Sequence, residues 1–171
     1  AISAQAAVNG DTLAFDAGVP TGITAPGGTF IQFDVPTGSY FAMDNSGDGV
    51  HQGGEKVAIA PGSDGGLIIG STQAATEFDQ TWVFFGPTGN HLTTSAPTMS
   101  NIGASSFDLD FTGLTVFWNG VNIPMGGDGA NFPSDTGIAS VTCGLDCAVG
   151  DTFSLDYESH VPADGAGTDF G

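Results

Sequence analysis

Alternation of apolar and polar residues is the sequence feature that most restricts the fold of this chain. The longest alternating run directs five residues to one face, namely Phe153, Leu155, Tyr157, Ser159 and Val161. The positions between them are polar, namely Ser154, Asp156, Glu158 and His160. Successive side chains of a β-strand point to opposite faces, so this pattern predicts strands with one buried and one solvated face. Similar runs cover residues 31–35, 107–111 and 114–118, and their apolar positions are expected to face the core.

Turn-forming residues separate these runs along the whole chain, which contains 28 glycines and 9 prolines. Shorter apolar runs that are typical of central strands are Lys56–Ala60, Leu67–Gly70, Trp82–Phe85 and Ile138–Cys143. A weak turn at 74–80 is the only helix candidate. The sequence predicts an all-β, antiparallel β-sandwich of about ten strands, of jelly-roll or immunoglobulin-like type. We expect one domain over residues 1–171, with 1–10 a possible edge or exchanged strand and 162–171 a Gly-rich tail.

The charge balance is strongly one-sided. The chain has 19 acidic residues against a single lysine, Lys56, and its formal net charge is −18. Such a surface repels phosphate backbones and attracts divalent cations, so we expect no nucleic-acid partner. No stretch approaches the roughly 18 consecutive apolar residues of a transmembrane helix, so the sequence predicts no membrane span.

The two cysteines, Cys143 and Cys147, are separated by only three residues. No other thiol is present and no histidine pairs with them at zinc spacing, so a local disulfide is the favoured interpretation. Two reduced, partly buried thiols are the alternative. A disulfide indicates an exported protein. The sequence opens at Ala1 without the basic and apolar regions of a signal peptide, so we expect a mature, processed chain.

One segment has the ligand spacing of a calcium loop, D-x-S-x-D-G-x5-E, between Asp44 and Glu55. Its six candidate ligands are Asp44, Ser46, Asp48, Val50 through its carbonyl, Gln52 and Glu55. The flanking residues 40–43 and 56–59 are typical of strands, so the loop is no EF-hand. Without flanking helices, calcium would have a structural role and not a signalling one. An ordinary Asp/Gly turn on an acidic surface is the alternative.

Other candidate sites are weaker. Two carboxylate pairs share strand faces, Asp108 with Asp110 and Asp156 with Glu158, as a glycosidase or a second cation site would require. These are also the regular outward positions of alternating strands, where solvated charges are expected. The three histidines, at positions 51, 91 and 160, are scattered. No nucleophile motif is present, so we expect no enzyme and no catalytic residues.

Several segments resemble a recurrent pattern of exported proteins from Gram-negative bacteria that carry sorting tails of the PEP-CTERM type. These segments are Asp79–Gly86, Thr88–His91, Asp110–Gly120, Ile123–Gly127, Gly137–Cys143 and Asp156–Pro162. The resemblance extends over residues 39–171. It implies a secreted or surface-sorted β-protein of the biofilm matrix, and it supplies no catalytic residues because the family is functionally uncharacterised.

These observations together predict an extracellular structural protein. We expect a calcium-stabilised β-sandwich that forms a surface filament or biofilm-matrix assembly from copies of itself. The small, neutral segment Ala1–Val8 is suited to strand addition on a neighbouring subunit, or equally to pairing within its own subunit. A secreted carbohydrate-binding module is the alternative, with a polysaccharide partner that stacks on an exposed aromatic such as Phe117 or Trp118.

Overall fold

The computed structural model describes residues 6–44 and 46–161, and this part of the chain is all-β. It contains fourteen strands, the 3₁₀ turn Gly53–Glu55 and no α-helix. The strands are β1 (Thr12–Leu13), β2 (Val19–Thr24), β3 (Phe30–Thr37), β4 (Tyr40–Ala42), β5 (Lys56–Ala58), β6 (Leu67–Ile68), β7 (Trp82–Val83), β8 (Thr88–Thr93), β9 (Met99–Ser100), β10 (Ser106–Asp110), β11 (Leu114–Trp118), β12 (Val121–Pro124), β13 (Ile138–Cys143) and β14 (Phe153–Asp156).

All pairings between these strands are antiparallel. Two sheets have four strands each, in the orders β14-β13-β10-β9 and β12-β11-β8-β7. The remaining strands form three separate pairs, β1–β6, β2–β3 and β4–β5. The predicted all-β, antiparallel class is therefore confirmed. A ten-stranded sandwich is not confirmed, because the sheets are small and separate.

Two apolar clusters form the core, and β11 contributes to both. The larger cluster gathers buried residues from β1, β6, β10, β11 and β13, including Leu67, Leu109 and Val141. The smaller cluster consists of Val57, Trp82, Phe84 and Val116. In β10 the predicted alternation is confirmed, because Phe107 and Leu109 are buried while their neighbours are not. Burial of these alternating side chains supplies most of the stabilisation of such a small-sheet fold.

The predicted inward face of β3 is wrong for two of its three residues. Ile31 and Phe33 are 45% and 52% exposed, and only Val35 is buried. The reason is that β3 turns its other face, with Gln32 and Asp34, toward Lys56 of β5, and no described element covers Ile31 and Phe33. Alternation predicts which side chains share a face of a strand, but it does not predict that another element packs on that face.

The predictions for central strands had mixed outcomes. The prediction for Ile138–Cys143 is confirmed, since β13 lies between β14 and β10. The runs beginning at Lys56 and Leu67 instead form two-stranded pairs, and Trp82–Val83 is an edge strand. The predicted helical turn at 74–80 is not helical, and Thr76 there has a φ of 72°. Turn residues next to each run, such as Pro61 and Gly62, end these strands after two or three residues.

The described end of the N-terminal segment pairs within its own chain. Ala6 forms an antiparallel bridge with Ala148, and the N–H of Ala7 donates to the carbonyl of Cys147 at 3.0 Å. Residues 1–5 and the predicted tail 162–171 lie outside the described residues, as does Asn45. Within the described part, no helix is long and apolar enough to cross a membrane.

The predicted disulfide is confirmed, since Cys143 and Cys147 are bonded to each other. Asp151 holds the loop that this disulfide closes. Its carboxylate accepts the N–H groups of Leu145 at 2.8 Å, Asp146 at 3.1 Å, Cys147 at 3.2 Å and Thr152 at 2.8 Å. These bonds, that from Leu145 first, lower the pKa of Asp151. The loop is therefore organised around one ionised carboxylate.

This arrangement makes the stability of the protein depend on pH through Asp151. Because the pKa is lower in the folded state, the contribution of Asp151 is fully present above the unfolded value of about 3.9 and is lost as pH falls further. We expect the melting temperature of the parent to fall more steeply below about pH 4 than that of Asp151→Asn. Asp146→Asn, in the same loop, is the control and should keep the parental slope. Equal slopes in parent and Asp151→Asn would contradict this role.

Candidate metal centre

The predicted calcium loop joins two strands that pair with each other, β4 and β5. Tyr40 lies opposite Ala58 and Ala42 opposite Lys56, and the N–H of Met43 extends the ladder to the carbonyl of Glu55 at 3.0 Å. Strand pairing therefore brings the first and last candidate ligands, Asp44 and Glu55, to the neck of the loop. This geometry follows from the sequence, because the loop is flanked by runs that can pair as a hairpin.

Asp44 is the most buried of the six candidate ligands. Its carboxylate is 8% exposed and accepts the N–H groups of Gly47 and Gly49, each at 2.7 Å, and the hydroxyl of Ser46 at 3.2 Å. Both glycines have left-handed backbone conformations, with φ of 70° and 75°. These conformations are ones that glycine adopts at little cost. The hydrogen bonds, that from Gly49 first, lower the pKa of Asp44, so it is ionised at neutral pH.

Glu55 closes the loop with both of its oxygens. Oε2 accepts the N–H of Gln52 at 3.0 Å, and Oε1 accepts the N–H of Ser46 at 2.9 Å. These hydrogen bonds, that from Gln52 first, lower the pKa of Glu55, while the charge of Asp44 acts in the opposite direction. Two ionised carboxylates therefore face each other across Ser46. A cation between them would relieve this repulsion.

The remaining predicted ligands lie at the rim of the loop. The side-chain amide of Gln52 donates to Asp48 at 2.8 Å, and the N–H of Val50 donates to the other oxygen of Asp48 at 2.9 Å. The structure thus brings Asp44, Ser46 and Glu55 together and pairs Asp48 with Gln52 beside them. Their role as ligands stays a prediction.

The oxygen supply of this loop is compatible with calcium but incomplete from side chains alone. Among residues 6–44 and 46–161, no three His, Cys, Asp or Glu side chains form a group that could hold a metal ion. Calcium takes six to eight oxygens and accepts hydroxyls, backbone carbonyls and water alongside carboxylates. Each carboxylate offers about four lone-pair sites, and several of these on Asp44 and Glu55 already accept hydrogen bonds from the loop. A bound ion would therefore replace some of these donors.

A buried polar cluster that the sequence analysis missed lies elsewhere in the fold. Asp79 is fully buried and accepts the indole N–H of Trp82 at 2.9 Å and the backbone N–H of His91 at 2.8 Å. Its Oδ2 also lies 2.6 Å from Nδ1 of His91. The ring of Phe41 packs on the rings of Trp82 and His91, and the ring centroids are 5.1 Å apart in both contacts. An Asp–His pair can orient a general base, but here it joins the segment before β7 to β8 inside an aromatic cluster.

The first carboxylate pair considered in the sequence, Asp108 and Asp110, has local hydrogen bonds. Asp108 accepts the amide of Asn101 at 2.7 Å, and Asp110 accepts the N–H and hydroxyl of Thr112 at 2.9 and 2.6 Å. The three histidines lie in three separate settings: in the calcium loop, beside Asp79, and beside Asp135. No protein-family model, curated protein or solved structure matches this chain.

Proposed function

We propose that this chain is an extracellular structural protein, a calcium-stabilised β-sandwich subunit of a surface filament or biofilm-matrix assembly. The two four-stranded sheets would be the layers of the sandwich. The observation that supports this proposal best is the connection between the calcium loop and an exposed apolar hairpin, β2–β3. Calcium in the loop would then stabilise the surface through which copies associate.

The connection runs through Lys56, which directly follows Glu55. Its ammonium group lies 3.2 Å from Oδ1 of Asp34 in β3, and its carbonyl accepts a hydrogen bond from the side chain of Gln32. Lys56 is the only Lys or Arg in the sequence. Lys56 therefore connects the end of the calcium loop to one face of the hairpin. The chain has no other Lys or Arg that could make this contact.

The opposite face of the hairpin is apolar and exposed. Ile23, Ile31 and Phe33 are 53%, 45% and 52% exposed, and Ile23 is paired directly with Ile31. A two-stranded hairpin with an apolar face in water is marginally stable on its own, and contiguous exposed apolar residues mark interaction sites. A partner that covers this face would stabilise the hairpin.

A second copy of the chain is the partner that the charge distribution favours. The net charge is −18, yet β2 carries no charged residue and β3 carries only Asp34, which is paired with Lys56. Repulsion between two copies is therefore low where these hairpins meet. Calcium would lower it further by neutralising Asp44 and Glu55.

Negative-stain microscopy with and without a calcium chelator tests this function. We expect filaments or ordered aggregates in calcium that disperse when the chelator is added. The double substitution Ile31→Ser and Phe33→Ser should abolish them. Ile102→Ser is the matched control, because Ile102 is 64% exposed but lies outside the hairpin. Monomers at every calcium concentration, or an equal effect of the control, would contradict the proposal.

A secreted carbohydrate-binding module is the second candidate, and one aromatic residue favours it. Phe85 is 61% exposed and borders a shallow cavity of about 140 Å³ that Gln32 and Lys56 also line. An exposed ring beside hydrogen-bonding groups can stack on a sugar. Phe117 and Trp118, the aromatics considered in the sequence, are both half-buried. This function would be favoured over assembly if the parent stayed monomeric and bound a polysaccharide, and if Phe85→Ala abolished that binding.

A further inference from the structure

A third buried carboxylate, remote in sequence from the calcium loop, has one oxygen without a partner. Asp135 is 4% exposed, and its Oδ2 accepts the N–H groups of Asp128 at 3.0 Å and His160 at 2.9 Å and the hydroxyl of Ser159 at 3.3 Å. Its Oδ1 is also buried, and no donor among residues 6–44 and 46–161 reaches it. Leaving a buried carboxylate oxygen unsatisfied is costly, so an additional group is expected there.

The space beside Asp135 is polar and large enough for such a group. A cavity of about 100 Å³ is lined by Ser134, Asp135, Glu158 and His160, without any apolar side chain. One water needs roughly 10–15 Å³ of such volume, so this cavity can hold a cation together with several waters. Two carboxyl groups and a hydroxyl are the oxygen donors that hard divalent cations prefer.

No Lys or Arg side chain is available to neutralise this cavity. The only Lys or Arg in the sequence is Lys56, which is paired with Asp34 at 3.2 Å. The imidazole of His160 stacks on Phe132 with the ring centroids 4.0 Å apart, and its Nδ1 lies 3.7 Å from Oδ2 of Asp135, not from the unpartnered oxygen. Even a cationic His160 would balance only one of the two carboxylates of this cavity, so an external cation would complete its charge balance.

We propose that this cavity is a second calcium site, with Oδ1 of Asp135 as the direct protein ligand and Glu158 as the second carboxylate. Ser134 and water supply the remaining oxygens. Since no three acidic or histidine side chains converge among the described residues, water provides much of the coordination. The affinity therefore falls in the range of extracellular calcium modules, with a Kd of about 0.1–1 mM.

Occupancy of this site would join two segments that are far apart in sequence. Asp135 belongs to the Gly-rich loop after β12, while Glu158 follows β14. The same segments are already connected by the hydroxyl of Tyr157, which donates to the carbonyl of Met125. Calcium would thus fasten the end of β14 onto this loop, independently of the Asp44 site.

Calorimetric calcium titration in an Asp48→Ala background, which disables the first loop, tests this site. We expect one remaining binding event in the submillimolar range. Adding Glu158→Gln should weaken it at least about tenfold, because a charged ligand is removed. Asp156→Asn is the matched control: it removes the same charge from the neighbouring segment, outside the cavity, and should leave the event unchanged.

Three results would overturn the proposal: no calcium event in the Asp48→Ala background, equal weakening by Glu158→Gln and Asp156→Asn, or tighter binding of Zn²⁺ than of Ca²⁺. Tighter binding of Zn²⁺ would indicate that the imidazole of His160, and not the carboxylates, dominates metal binding in the cavity. Asp135→Asn should also abolish the event, with folding checked by circular dichroism. If that variant does not fold, Glu158→Gln decides alone, since Glu158 is exposed and its replacement leaves the core untouched.

Discussion

Replacing Asp79 by alanine is expected to lower the free energy of unfolding by about 3–5 kcal/mol, as measured by urea denaturation. The substitution removes the acceptor of the indole N–H of Trp82 and of the backbone N–H of His91, both inside the core. These donors would remain buried without partners, which costs more than the hydrogen bonds themselves contribute. Small domains are stable by only about 5–15 kcal/mol, so a large part of the total would be lost.

Two further substitutions separate this network from a general effect of charge removal. Asp156→Ala removes a carboxylate from an exposed position of β14 and should change stability by no more than about 0.5 kcal/mol. Asp79→Asn keeps the shape of the side chain and one acceptor oxygen. Its loss of unfolding free energy should therefore lie between the losses of Asp79→Ala and Asp156→Ala. If Asp79→Ala were as stable as the parent to within about 1 kcal/mol, the assigned network would be wrong.

Calcium is expected to stabilise the folded protein substantially. At a free concentration of about 100 times Kd, binding to the native state alone adds about 2.7 kcal/mol. For a domain of this size that corresponds to a rise in melting temperature of about 5–10 °C. Magnesium at the same concentration should give a much smaller rise, because it requires a smaller, near-octahedral site.

The Asp44 loop should account for most of this calcium response. Asp48→Ala is expected to reduce the rise strongly, since it removes one of the carboxylates around the loop. Asp16→Asn is the control, because Asp16 is exposed and lies outside the loop. A calcium response that is the same in Asp48→Ala and Asp16→Asn would show that the ion acts elsewhere.

The features that the sequence predicted correctly are those determined by nearby residues. The disulfide between Cys143 and Cys147 spans a separation of four residues. The strands that flank the Asp44–Glu55 loop, β4 and β5, pair as a single hairpin. The burial pattern of β10 follows from alternation alone. In each case few residues lie between the partners, so few alternative arrangements compete.

The features that it did not predict depend on which elements pack together. The contact between Asp79 and His91 spans 12 residues and requires the segment before β7 to lie against β8. The contact between Asp135 and His160 spans 25 residues and joins a Gly-rich loop to the segment after β14. The exposure of Ile31 and Phe33 reflects the absence of a covering layer among the described residues. Neither the periodicity of the sequence nor the spacing of its residues predicts any of these arrangements.

The most direct test of the central claim is a calorimetric calcium titration of the parent and of Asp48→Ala, with Glu158→Gln in both to silence the proposed second site. We predict a single calcium-binding event in the Glu158→Gln protein. This event should be lost when Asp48→Ala is added. Identical titrations of the two proteins, or no heat of binding in the first, would contradict the assignment of Asp44 to Glu55 as a calcium loop.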